Sequence, residues 1–404
     1  MACRLCDSDS LEPVLALGRT PLADALLRPE ELSGPEPTFP LELSFCSKCG
    51  LSQIAETVPP ELLFCRDYPY YSSFSDALLR HARDNAERLI EARGLNEKSL
   101  VVELASNDGY LLRNFVAHGV PVLGIDPAEG PARAAREKGV PTLGRFFGRE
   151  LAQELRAEGR QADVIIASNV LAHVPDLHGF VEGIRILLKP GGVAVIEAPY
   201  VKDLIDRCEF DTIYHEHLCY FSVSALNFLF RRHSLFANHV EHLPIHGGSL
   251  RLFAEPHENV DCSVTHSLRE EAARGVDRLG YYLEFAAKVR QIRRELRTLL
   301  VKLKRQGKRI AAYGAAAKGA TLINYVDIGQ ELIDFVVDRN VHKHGLYMPG
   351  KHLPIHAPEK LLQERPEYTL LLTWNFSDEI LQQQEPYRQL GGRFIIPIPH
   401  PCVV

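Results

Sequence analysis

No apolar run in the 404 residues approaches the ~20 needed to cross a bilayer, so no membrane partner is expected. The N-terminus lacks the charged and then apolar pattern of a secretory leader, and the chain reads as cytoplasmic. There is no basic excess: 46 Lys and Arg stand against 52 Asp and Glu, a formal net charge of -6. Neutralising a phosphate backbone needs a basic face, so nucleic acid is excluded as a general partner. The strand-like run Leu100–Ala105 is not followed by G-x-G-x-x-G, which disfavours a dinucleotide cofactor. A zinc protease is excluded too, because Cys219 stands where H-E-x-x-H would place its second histidine after His215-Glu216. Neither an internal repeat nor a low-complexity tract is present.

What the chain has, close to its start, is two C-x-x-C pairs, Cys3/Cys6 and Cys46/Cys49. Each short pair closes a knuckle with both sulfurs inward, and two pairs supply four thiolates to one tetrahedral Zn2+. Four sulfur ligands leave no open position for a water or substrate, so this zinc is structural. The alternatives are disulfides or a redox pair, which a reducing cytoplasm disfavours for the first of them. The Pro-, Glu- and Gly-rich stretch from Pro29 to Pro40 reads as the loop between the knuckles. A core this small is marginal alone, and a metal is a usual remedy.

Helical spacing follows from Ser73 to Arg93, carried by Leu78, Leu79, Ala82, Ala86, Leu89 and Ile90. Then strand-like apolar runs alternate with helical stretches: Leu100–Ala105, Pro121–Asp126, Asp163–Ser168 and Val193–Glu197. Such alternation indicates a parallel sheet covered on both faces. Two strands are expected around His246-Gly-Gly248, and one long helix from about Val264 to Gln306. A second α/β unit opens at Arg309–Tyr313 with the turn Gly314–Gly319 and the strand Ile333–Asp338. The expected fold is therefore α/β in three parts. Residues 1–70 form a zinc module, 71–260 a Rossmann-like S-adenosylmethionine (SAM) domain, and 261–404 a helical connector with a second Rossmann-like domain. The long helix leaves self-association and a monomer with docked domains both open.

Ligands of open α/β sheets sit beyond the carboxyl ends of the strands. The first such end reads Glu103-Leu-Ala-Ser106-Asn-Asp108-Gly109, with one glycine and two carboxylates. Two acidic groups suit the sulfonium and ammonium of SAM better than a pyrophosphate. Asp126, ending the next strand, is placed to accept ribose hydroxyls, or else to cap the helix that Pro127 begins. Asn169-Val-Leu-Ala-His-Val-Pro-Asp176 reads as the segment bordering the donor, with His173 either in the site or in a surface loop. The densest chemistry lies in Asp211-Thr-Ile-Tyr-His-Glu-His217. If it is extended, His215 and His217 share one face and Tyr214 and Glu216 the other. A histidine beside a carboxylate is a natural proton acceptor, with a solvated polar loop as the plain alternative. Tyr68, Tyr70 and Tyr71 can wall a pocket or simply pack between domains.

Together, the paired knuckles, Asp67-Tyr68 through Ser73, Ser106–Leu112, Asn169–Asp176, Tyr214–His217 and His246-Gly-Gly-Ser-Leu-Arg251 resemble the SAM-dependent sugar C-methyltransferases of deoxysugar biosynthesis. The resemblance spans nearly the whole chain. It implies a thymidine-diphosphate (TDP)-linked keto sugar as substrate and His217 as the base that removes the proton beside the ketone. It implies that Tyr214 and Glu216 orient the sugar and its enol oxygen, and that Tyr68 and His173 line the same pocket. Glu103, Ser106, Asp108, Asp126 and Asn169 would hold SAM, and the C-terminal unit would help hold the nucleotide, with Lys318 toward the diphosphate. The sequence departs from the pattern at Ala105, where glycine is usual, and at Cys219, where a small hydroxyl residue is expected.

Overall fold

The computed structural model describes residues 2–64 and 71–404. Tyr68 and Tyr70 lie outside the described residues. Three sheets organise the described residues. The first holds Leu11–Thr20, Phe39–Cys46, Ser52–Ile54 and Cys219–Tyr220 in that order, all antiparallel. Its fourth strand comes from far along the chain, directly after Tyr214–His217. Ser52 pairs with Tyr220 and Gln53 with Cys219, while Ile54 N–H donates to the Leu218 carbonyl at 3.0 Å. The N-terminal module and the histidine-rich segment therefore share one sheet.

The second sheet has seven strands in the order Phe236–Leu243, Ser249–Glu255, Leu188–Pro199, Ala162–Ser168, Val101–Leu104, Val122–Ile125 and Thr142–Leu143. The last five run parallel and the first two form an antiparallel hairpin at one edge. The strands Val101–Leu104 and Val122–Ile125 are buried throughout, as near-continuous apolar runs require when helices cover both faces. Strand order reverses between Val101–Leu104 and Ala162–Ser168, so the crevice of this sheet opens beside residues 105–109 and 169–173.

The third sheet runs Ile355–His356, Val336–Val337, Ile310–Tyr313, Tyr368–Leu371, Arg393–Ile396 and Cys402–Val403, parallel except for its last pair. Its own reversal lies between Ile310–Tyr313 and Tyr368–Leu371. The single helix expected over 264–306 is two helices, Cys262–Arg274 and Leu279–Arg305. Gly275 adopts φ 80° and donates its N–H to Ala272 and Glu271 carbonyls, a left-handed stop that an uninterrupted apolar spacing conceals.

Candidate active site

The donor crevice begins at the turn after Leu104. Ala105 and Asn107 take φ of 56° and 48°, and Gly109 takes 75°. Two non-glycine residues in left-handed geometry are costly, and such strain concentrates where a turn must meet a ligand. Asp126 does not point freely outward. Its Oδ2 accepts the Asn107 N–H at 2.8 Å and its Oδ1 the Ala128 N–H at 2.8 Å. This pins the turn to the next strand and leaves the remaining lone pair of each oxygen for further donors. Ser106 Oγ packs over Gly124, where an added Cβ would come within 2.5 Å of it.

The two acidic groups at this strand end are not equivalent. Asp108 is neutralised by Lys138, whose Nζ lies 2.9 Å from Oδ2, and it also accepts from Ser73 Oγ. Glu103 is 1% exposed, and its Oε2 has no hydrogen-bond partner among the described residues. Burial, then Asp126, Asp108 and Glu197, push its pKa well above the usual carboxylate range. Glu197 itself is compensated: Arg251 donates Nε–H to Oε1 at 2.7 Å, and His81 Nε2 lies 2.9 Å from Oε2. Buried Glu103 and the unpartnered Asn169 Oδ1 are polar atoms awaiting a cationic, hydrogen-bonding guest, and SAM fits them. Asn169 stands at φ 55°, its N–H on the Glu197 carbonyl at 2.9 Å.

The histidine-rich segment is a turn, not the extended stretch that alternation suggests. His217 N–H donates to the Tyr214 carbonyl at 2.9 Å. This brings Tyr214 and His217 together, with ring centroids 4.2 Å apart, and leaves His215 and Glu216 buried. His215 Nε2 donates to the Pro40 carbonyl at 3.1 Å, a tie to the N-terminal sheet. His217 Nδ1 lies 2.9 Å from the Thr212 carbonyl. A carbonyl can only accept, so Nδ1 carries the proton and the neutral ring keeps a lone pair on Nε2. That Nε2 accepts from Tyr214 Oη at 3.1 Å. The His173 ring stands edge-on to His217 with centroids 4.8 Å apart. Desolvation lowers His173 to about 4, so it is neutral at physiological pH. The Leu218 N–H donates to the Ala172 carbonyl at 2.7 Å, locking the two segments together.

Glu216 is pushed up to about 8, first by burial and then by the nearby Asp24 carboxylate. At neutral pH it is largely a protonated acid that can donate a hydrogen bond. Asp24 belongs to the N-terminal module and carried no local sequence signal. Cys219 is buried in the shared sheet with its thiol pushed up to about 12 by desolvation, which makes it a packing residue. Lys318 does not face outward: its Nζ donates to Asn375 Oδ1 at 3.1 Å and sits 4.7 Å over the Trp374 ring.

The four cysteines converge on one another. Cys3 and Cys49 Sγ lie 3.6 Å apart, as do Cys6 and Cys46, and all four lie within 4.8 Å of one another. A tetrahedron of Zn–S bonds of about 2.3 Å has edges of about 3.8 Å, so the cluster fits Zn2+. The knuckles match each other: Asp7 at φ 58° donates N–H to the Cys3 carbonyl, and Gly50 at φ 75° to that of Cys46.

Sheet order, an acidic donor turn and a closed four-sulfur site define a zinc-containing SAM-dependent methyltransferase. Family models agree in chain order. A zinc binding domain matches residues 3–64, a methyltransferase domain 77–235, and a C-methyltransferase C-terminal domain 244–399. The C-methyltransferase NovU of Streptomyces niveus is 37% identical over 406 residues, covering 100% of this chain and 96% of the relative. The chain belongs to this family of C-methyltransferases. A ubiquinone biosynthesis O-methyltransferase of Acinetobacter baylyi is 29% identical over 148 residues, 31% of this chain and 60% of that one. Among solved structures, the SAM-bound magnesium protoporphyrin IX methyltransferase of Synechocystis matches 44% of this chain and 78% of its own, with 14% identity and a TM-score of 0.34.

Proposed function

We propose that the protein methylates the carbon next to the ketone of a TDP-linked keto-deoxysugar, with His217 as the base. Residues 1–70, 71–260 and 261–404 serve as zinc, donor and nucleotide-sugar units in this reading. The observation that carries it is the placement of His217: Nδ1–H is spent on the Thr212 carbonyl, so Nε2 is the basic nitrogen, and it accepts from the Tyr214 hydroxyl beside the His173 ring.

A ketone acidifies the neighbouring C–H. As the Tyr214 hydroxyl turns from Nε2 to the ketone oxygen, Nε2 takes that proton, and the electron pair moves to the carbonyl oxygen, giving an enolate. Glu216, held protonated by burial, and Tyr214 Oη are the donors for the developing oxyanion, whose stabilisation is a large share of such catalysis. Bound at residues 103–108, 126 and 169, SAM supplies an electrophilic methyl group. His173 stays neutral and so adds no cationic repulsion at the donor. A sugar nucleotide is a soluble metabolite, which fits the cytoplasm, and among the described residues no helix is long and apolar enough to cross a membrane.

The test is turnover with SAM on a panel of TDP-linked keto-deoxysugars, followed by mass spectrometry for one added methylene unit and by NMR for a new carbon–carbon bond. His217→Ala should cut turnover about a thousandfold while SAM binding, followed by calorimetry, is unchanged. Methylation on oxygen, or full turnover by His217→Ala, would refute the mechanism.

A further inference from the structure

We infer that Trp374 and Thr321, both in the C-terminal unit, are positioning residues that set the tautomer of His217. The inference rests on the reading of His217 as base, and extends it to the C-terminal unit.

Three successive residues carry the argument. The Thr212 carbonyl holds the Nδ1 proton of His217. On one side of it, Asp211 is fully buried and its Oδ2 accepts the Trp374 Nε1–H at 2.7 Å. On the other side, the Ile213 carbonyl accepts from Thr321 Oγ1 at 3.3 Å. Phe210 meets Tyr325 edge-on, with centroids 5.4 Å apart, one residue further out. The peptide that orients His217 is therefore gripped from both flanks by the third sheet's unit. Trp374 follows the strand Tyr368–Leu371, and Thr321 lies on the helix Ala317–Val326 after Ile310–Tyr313, so the grip comes from that sheet's reversal point. Lys318 over the Trp374 ring fixes the indole in turn.

The consequence is chemical. A Thr212 peptide free to rotate would release Nδ1–H. Neutral imidazole would then also populate the tautomer with its proton on Nε2, which has no lone pair there to accept a substrate proton. Small losses of orientation are expensive in rate, because positioning supplies much of catalysis.

The experiment compares Trp374→Phe and Thr321→Val with wild type in 15N-histidine-labelled protein, the His217 signal being identified by its disappearance in His217→Gln. Wild type should show the Nδ1–H tautomer, and each variant a mixture. With SAM and a TDP-linked keto-deoxysugar, kcat should fall about tenfold, KM for SAM should hold, and the double variant should lose less than the product of the single losses. Thr321→Val keeps the side-chain volume, so it carries the test if Trp374→Phe melts early. An unchanged tautomer in variants that melt like wild type would overturn the inference. So would a kcat within about twofold of wild type. Should His217→Gln itself retain turnover, the base reading fails, whereas the tautomer shift still reports on the grip.

Discussion

The two α/β units start with the same backbone device and use it for different ends. In the first, Ala105 follows the strand and donates N–H to the Ile125 carbonyl at 2.8 Å; in the second, Gly314 donates to the Val337 carbonyl at 2.8 Å. The residues after those carbonyls, Asp126 and Asp338, each take one N–H from the turn and one from two residues on, at 2.7–2.8 Å. The side chains then diverge. The first turn holds Glu103, buried and without a cation, while the second carries Lys318 and no carboxylate, and turns that lysine toward Trp374 and Asn375. A similar strand–turn–strand frame thus presents a buried carboxyl in one unit and, in the other, carries the residues that hold Asp211 and Ile213. Ligand class resides in the side chains hung on the frame, not in the frame.

Gly314→Ala should break the second frame and have the largest effect. Gly314 sits at φ 101°, and a Cβ there would lie 2.5 Å from Thr373 Oγ1 and 2.6 Å from its Cγ2. Backbone strain and the clash together should cost about 2–4 kcal/mol, read as a lower urea midpoint; an unchanged midpoint would mean that the turn relaxes freely. Glu103→Gln should sharpen the contrast in charge. Burial and the surrounding carboxylates hold the Glu103 pKa well above the ordinary carboxylate range, and a bound SAM cation should pull it back down. SAM binding should therefore release a proton, and affinity should rise with pH through the raised pKa and level off above it. In Glu103→Gln the proton release should vanish and SAM affinity drop about tenfold. Calorimetry in two buffers of different ionisation enthalpy checks both, and equal heats for the wild-type protein would argue against an ionising Glu103.

How much of this was visible in the chain depends on the range of the forces involved. Apolar runs located four of the five parallel strands of the second sheet, because burial on both faces imposes them locally, but not the two-residue edge strand Thr142–Leu143. The knuckles were legible because four ligands need fixed spacing. The Tyr214–His217 turn was not, since none of its residues is a turn former and the conformation is held by partners at Ala172, Ile54 and Thr212. Asp108 and Glu103 looked alike in sequence; a lysine 30 residues on separates them. The grip of Trp374 on Asp211 spans 163 residues, and no local pattern announces it. Its only hint is that Trp374 is the single tryptophan of the chain.

The smallest expected effect sharpens the comparison most directly, because Ala105 and Gly314 are equivalent positions. Ala105 stands at φ 56°, inside the left-handed well, whereas Gly314 at 101° lies outside it. An alanine in that well costs about 1–2 kcal/mol, but glycine gives back about 0.5–1 kcal/mol through the greater freedom of its unfolded chain. Ala105→Gly should therefore stabilise the protein by about 0.5 kcal/mol net, a rise of about 0.6 °C in Tm for a chain that melts as one unit. It would also clear a methyl from the donor turn, so SAM affinity should hold or improve. A destabilised Ala105→Gly would mean that the Ala105 Cβ makes packing contacts worth more than the strain, and that the first frame, unlike the second, has been fitted around a side chain at this position.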